Sequence, residues 1–230
     1  MNKIIKLATI ACMMAAASNS MAAGPAANVK VSGTVTVGAC VPVLSNNGEY
    51  DMGTTTVDQL SPAGSDAFAL PVKNATLIIT CNTPTKFTFS LSDNRADSVS
   101  SQYMYSMKDK NGLFGLGKTS AGVNIGSWYP TFNIGEVNTS GIDGVPGDTI
   151  LSADKIAWTK APSGSSIYFF NGNAGAVDYV SFADEGSIIP RTVSNLTMNL
   201  TIKAGLSSEL KSINDVETLD GNASINIDYL

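Results

Sequence analysis

The feature that most constrains this chain is a strand-length alternation of apolar and polar residues that keeps returning, with no sustained helical period beside it. NVKVSGTVTVG (28–38) alternates through Val29, Val31, Gly33, Val35 and Val37, KFTFSLS (86–92) through Phe87, Phe89 and Leu91, and NLTMNLTIK (195–203) through Leu196, Met198, Leu200 and Ile202. NASINIDYL (222–230) does the same with Ala223, Ile225, Ile227 and Tyr229. A period of two places successive side chains on opposite faces of a strand, so each segment offers one face to a core and one to water. ATLIITC (75–81), KIAWTK (155–160), SIYFFN (166–171) and DYVSFA (178–183) add shorter apolar, β-branched or aromatic runs. Turn-rich pieces such as NTSGIDGVPGD (138–148) and NGNAG (171–175) separate them. Short strands at this spacing predict an all-β sandwich in a single domain. SSELKSINDVETL (207–219) is the one helix-like piece, read as a loop or a short turn of helix.

The ends of the chain carry separate information. MNKIIKLATIACMMAAASNSMAAG opens with Lys3 and Lys6, continues apolar from Leu7 to Ala17 and reaches small residues before a cut near Ala22. That is the pattern of a secretory signal peptide (1–22), and its apolar run is too short to span a bilayer. The expectation is therefore an exported protein. Loss of Lys3 and Lys6 makes a chain of formal charge −5 more acidic still, which excludes a basic footprint for nucleic acid. Of three cysteines, Cys12 leaves with the signal. Cys40 and Cys81 remain as an even pair, most simply one disulfide in an oxidising compartment. Closing a loop of roughly forty residues is worth about 4 kcal/mol by chain entropy.

Several motifs match on paper and fail in context. GLFGLGKT (112–119) satisfies G-x-x-x-x-G-K-[ST], yet a phosphate-binding loop needs a buried strand before it and a helix after it. Here SMKDKN precedes and the glycine-broken SAGVNIGSWYPTF follows. SELK (208–211) and SADK (152–155) fit S-x-x-K, but SDN (92–94) lies ahead of both and K-T-G is missing. The chain has no histidine, which removes Ser-His-Asp and Cys-His catalysis, and two cysteines alone cannot make a four-ligand zinc site. Asp143 with Asp148, or Asp184 with Glu185, are acid pairs of the kind a glycosidase uses, but acids in Gly/Asn-rich turns ordinarily cap the turn. No calcium-loop pattern appears. Trp128, Tyr129, Tyr103 and Tyr105 are read as core or sheet-face aromatics before glycan platforms. The reading is of a protein that is not an enzyme and uses no cofactor or metal.

With strands and cysteines placed, the chain resembles the pilus subunits of the bacterial chaperone/usher pathway. VSGTVTVGAC (31–40) is similar to the stretch where such a pilin's N-terminal extension passes through a glycine into the first strand and reaches a cysteine. YDMGTTTVDQLS (50–61) looks like the family's short strand of an aromatic or apolar residue followed by glycine, and FALPVKNATLIITC (68–81) like the strand ending at the second cysteine. INIDYL, with tyrosine next to last, looks like the C-terminal signature. FGLGKTSAGVNIGSWYP is similar to a branch of fimbrial-like proteins known mainly as a domain of unknown function.

The resemblance implies an immunoglobulin-like sandwich lacking its seventh strand, with the last segment of the chain as its sixth. Ala223, Ile225, Ile227 and Tyr229 would then border a groove, and the carboxylate of Leu230 would be held by a periplasmic chaperone. The groove would be filled first by that chaperone and then by a neighbouring subunit's extension (23–33), with Ala27, Val29 and Val31 as alternate knobs and Gly33 allowing close backbone approach. The implied partners are the chaperone, an outer-membrane usher and neighbouring pilus subunits, and the implied destination is the fimbria at the cell surface, with a role in cell adhesion. The domain would run from 34 to 230 with a long middle insertion at about 92–190. A second expectation is a minor or tip adhesin whose 92–190 region binds a glycan or surface receptor.

Overall fold

The computed structural model describes residues 32, 38–102, 104, 107, 109–162, 166–170 and 177–230. The expected signal, the extension with Ala27, Val29, Val31 and Gly33, the strand at 28–37, the NGNAG turn, Tyr103 and Tyr105 lie outside the described residues. Apart from Ser32, everything described belongs to one compact unit, Val37–Leu230.

That unit is an all-β, immunoglobulin-like sandwich of two antiparallel sheets. The strands in chain order are β1 (Cys40–Leu44), β2 (Phe68–Ala69), β3 (Lys73–Thr85), β4 (Phe87–Asp93), β5 (Phe114–Gly115) and β6 (Gly126–Asn133). They continue with β7 (Asp148–Ser152), β8 (Thr159–Lys160), β9 (Ser166–Tyr168), β10 (Tyr179–Ala183), β11 (Val193–Leu206) and β12 (Ala223–Tyr229). The first sheet runs β1-β3-β11-β6-β5, with β2 on β11 and β9 on β6; the second runs β12-β4-β10-β7-β8.

The alternation seen in the sequence sets the register. Ile79 lies opposite Leu196 and Leu77 opposite Met198, so the apolar faces of β3 and β11 coincide. β4 turns Phe87, Phe89 and Leu91 toward them, and all of these side chains are buried. Phe89 meets the Phe169 ring at 5.8 Å and the Phe182 ring at 6.3 Å, which knits the centre of the sandwich. Each such side chain contributes roughly 1.5–3 kcal/mol by leaving water. A smaller apolar cluster, including Leu60, Leu70, Ile125, Leu206 and Leu210, sits where the loops after β1, β5 and β11 meet.

Some expectations shift. KIAWTK is a strand only at Thr159–Lys160, because the Asp154 carboxylate accepts the Ile156 and Ala157 N–H groups at 2.8 and 2.9 Å and Lys155 takes a φ of 63°. That makes a turn. YDMGTTTVDQLS holds no strand; it is extended and then makes one short helical turn at Val57–Gln59. Within 207–219, Ser208–Ser212 forms a 3-10 helix started by Ser207, whose hydroxyl accepts the Glu209 N–H. GLFGLGKT becomes the two-residue β5 followed by a turn, with no helix after it. The 92–190 region supplies β5 to β10, woven into both sheets.

Candidate functional site

Two long strands stand at sheet edges on the same side of the sandwich. Among the described residues β1 pairs only with β3, from Cys40 opposite Cys81 to Leu44 opposite Leu77. Among the same residues β12 pairs only with β4, from Ala223 opposite Asp93 to Tyr229 opposite Phe87. Among the described residues, no strand pairing joins the two sheets along this side. Between them runs an apolar cleft of about 220 Å³, larger than the ~150 Å³ apolar cavity that takes up a benzene ring.

Its walls are drawn from separate parts of the chain. β12 contributes Ala223 and Ile225, β4 contributes Leu91, and the inner face of β11 gives Leu200 and Ile202. Leu44, Tyr50 and Met52 form the opposite lip. Tyr50 is held there by its hydroxyl, which donates to the Ser45 carbonyl at 2.8 Å. Trp128, Leu116 and Leu219 close one end, with the indole N–H donating to the Gly115 carbonyl at 3.1 Å. Gly221 is required there, since a Cβ would come within 2.9 Å of the indole nitrogen. Among the described residues, no charged side chain lines the cleft.

The far end is tied. The Cys40 N–H donates to the Tyr229 hydroxyl at 2.9 Å, joining the edge of one sheet to the edge of the other. Beside it Cys40 and Cys81 form a disulfide with Cα atoms 3.9 Å apart. The Leu230 N–H continues the ladder to the Lys86 carbonyl at 3.1 Å, and Leu230 itself is exposed. Ile227 is half-buried against the main core. At the other end of β12, burial pushes the Asp93 carboxyl up, although it accepts the Gly115 and Arg95 N–H groups, each at 2.8 Å. An apolar cleft between two edge strands, each with one partner among the described residues, offers hydrophobic pockets and backbone hydrogen bonds together, which suits an extended peptide.

The other candidate groups fall elsewhere. Asp143 accepts the Ser194 and Asn195 N–H groups at 2.9 and 2.7 Å. Asp148 is buried against Lys160 and the Gly186 N–H, while Asp184 pairs with Arg191 at 3.0 Å. Asp143 is thus taken up by β11, Asp148 by β8 and the turn at Gly186, and Asp184 by Arg191, while Glu185 is exposed. Tyr129 is fully buried and Trp128 belongs to the cleft. Sequence reasoning missed Leu44, which ends the short β1, and Tyr50, Met52, Leu116 and Leu219, which come from irregular segments without periodicity; the apolar pair in YDMG was the one visible signal.

The family model described as "Protein of unknown function (DUF1120)" matches residues 29–129, which include β1, β3, β4 and most of the Trp128 end of the cleft. The chain is similar to two proteins of Escherichia coli K12. "Uncharacterized protein YhcF" is 26% identical over 222 residues, covering 88% of this chain and 90% of that one. "Protein GltF" is 28% identical over 245 aligned residues, covering 97% and 96%.

Proposed function

We propose that this protein is a non-enzymatic structural subunit of a bacterial fimbria, exported through the periplasm and assembled by strand donation. The observation that carries this reading is the apolar cleft between β1 and β12, two edge strands that each have one partner strand among the described residues. An aliphatic strand laid in it would pair with an open ladder while its alternate side chains reach Leu91, Leu200 and Ile225. PAANVKVSG (25–33) of a second copy has that alternation in Ala27, Val29 and Val31, with Gly33 beyond them. Burial of each valine contributes roughly 1.5–3 kcal/mol, and the backbone ladder adds to it. Before assembly, a periplasmic chaperone occupies the cleft and an outer-membrane usher exchanges it for the neighbouring subunit. The chain's similarity to fimbrial subunits in its cysteine spacing and INIDYL ending supports the same reading.

The test is export of the chain with and without a pilus chaperone from the same operon. Soluble yield should depend on the chaperone. Ile225→Asp and Ile227→Asp should abolish capture, whereas Val29→Asp should spare capture and block polymerisation. Chaperone-indifferent solubility, or identical behaviour of the two classes of variant, overturns the proposal.

A further inference from the structure

A second recess lies on the opposite face of the first sheet. β11 pairs with β3 from Asn195 to Ile202, but with β6 only from Leu200 to Leu206. β6 ends at Asn133, and the chain makes helical turns at Ile134–Glu136 and Val137–Gly141. It rejoins β11 where the Asp143 N–H donates to the Asn195 carbonyl at 2.8 Å. For three residues, Thr197 to Asn199, β11 therefore faces a helical turn in place of a strand. Gly141 lets that turn approach, since a Cβ there would lie 2.5 Å from the Thr197 carbonyl oxygen.

The groove between them is lined by Asn133, Glu136, Thr139, Ser140, Thr197 and Asn199, all exposed. This is one carboxylate, two carboxamides and three hydroxyls, with no cationic side chain to attract an anion. A three-residue gap is too short to accept a strand of ordinary length. A single carboxylate is thin for calcium, which takes six to eight oxygens. What fits is a compact neutral ligand rich in hydroxyls.

The details narrow it further. The Asn199 amide donates to the Glu136 carboxylate at 3.4 Å, a long contact that costs little to exchange, while its carbonyl oxygen accepts the Thr76 hydroxyl at 3.2 Å. Two adjacent hydroxyls match this pair, one donating to Glu136 and its neighbour accepting from Asn199. Asn133 accepts the Gly135 N–H at 2.9 Å, so its amide is the donor it has to offer. On the same sheet face Thr197 lies opposite Ile78, and Ile78 opposite Val43. Both aliphatic side chains are exposed, a surface for the C–H face of a ring.

We propose that this groove binds a neutral pyranose sugar, held through a vicinal diol by Glu136 and Asn199. The proposal stands apart from strand donation, since groove and cleft lie on opposite faces of the sheet.

The test uses the full exported chain with whatever partner accompanies it, titrated with methyl α-mannoside, methyl β-galactoside, methyl β-glucoside and methyl β-N-acetylglucosaminide. The readout is saturation-transfer NMR. At least one sugar should bind with a Kd on the order of 1 mM. Glu136→Gln and Asn199→Ala should each weaken it tenfold or more, with unchanged circular dichroism. Thr80→Ala, elsewhere on that face, should leave it intact. No binding by any of the four sugars overturns the proposal, as does binding that survives the Glu136→Gln/Asn199→Ala double variant. Calcium chloride shifting the same resonances with no sugar bound overturns it in favour of a cation.

Discussion

The four edges of the sandwich come in two kinds. On one side the sheets end in β5 and β9, two and three residues long, and in β8, two residues long. On the other they end in β1 and β12, five and seven residues long. Short edges are the ordinary way a β protein avoids pairing with another chain. Here that protection is applied on one side alone. The short side is also sealed chemically: the Asp148 carboxylate on β7 takes Lys160 of β8 at 2.7 Å and the Gly186 N–H at 2.6 Å. Across the long side the Cys40–Tyr229 hydrogen bond joins the two edges. On the proposed reading, the blunted pair of edges resists pairing, and the longer pair beside the apolar cleft is where a donated strand would add.

The sharpest way to break this comparison is to truncate side chains on each side of the core. Phe89 is fully buried among the Phe169 and Phe182 rings, and Phe89→Ala should lower unfolding free energy by about 3–5 kcal/mol in a urea melt. Ile225→Ala, on the half-buried cleft wall, should cost about 1 kcal/mol in the isolated chain, because much of its surface is already wet. Adding a peptide of residues 25–33 should raise that cost several-fold while leaving the Phe89→Ala difference unchanged. Equal Ile225→Ala losses with and without peptide would show that nothing of this kind fills the cleft.

The sequence was most readable where a strand has one wet and one buried face. β4, β11 and β12 all announce themselves by alternation. β6 does not, because both its faces are largely buried and Pro130 stands in its interior. Its proline is tolerated for a visible reason: pairing with β5 stops at Trp128 and pairing with β9 starts at Thr131, so Pro130 lies in the gap between those two partners. β7 was hidden at the end of a turn-rich run, and Ile156, apolar on paper, is left in solvent by the Asp154 turn. The cleft divided along the same line. Ala223 and Ile225 could be assigned from period two, whereas Tyr50, Met52 and Leu219 are brought in by loops whose path depends on tertiary packing.

The seal on the short side gives a test by pH. Burial alone would push the Asp148 carboxyl up, but the Lys160 hydrogen bond and charge and the Gly186 N–H outweigh it and hold the group below its usual range. A carboxylate with a lowered folded pKa stabilises the fold above its unfolded value of about 3.9 and loses that contribution as pH falls through the lower folded value. Asp148→Ala should cost about 1.5–3 kcal/mol near neutrality. The variant's stability should also fall less steeply than the parent's below pH ~4. Parallel acid-melting curves would show that Asp148 does not close this edge.

The smallest effect expected is at the tie on the long side. Tyr229→Phe removes the acceptor for the Cys40 N–H and keeps the ring, so unfolding free energy should drop by only about 0.5–1.5 kcal/mol. Tyr229 is half-exposed, and water can replace part of what is lost. The disulfide still fixes β1 to β3, and the β12–β4 ladder remains, so neither edge leaves its own sheet. What changes is the separation of the edges, and with it the width of the cleft at its tied end. Hydrogen exchange should therefore quicken at Cys40 and along the outer amides of β12 while the amides of β10 and β7 keep their protection. If the amides of β7 and β10 sped up equally, Tyr229 would be supporting the whole sandwich, and the two sides would not be independent.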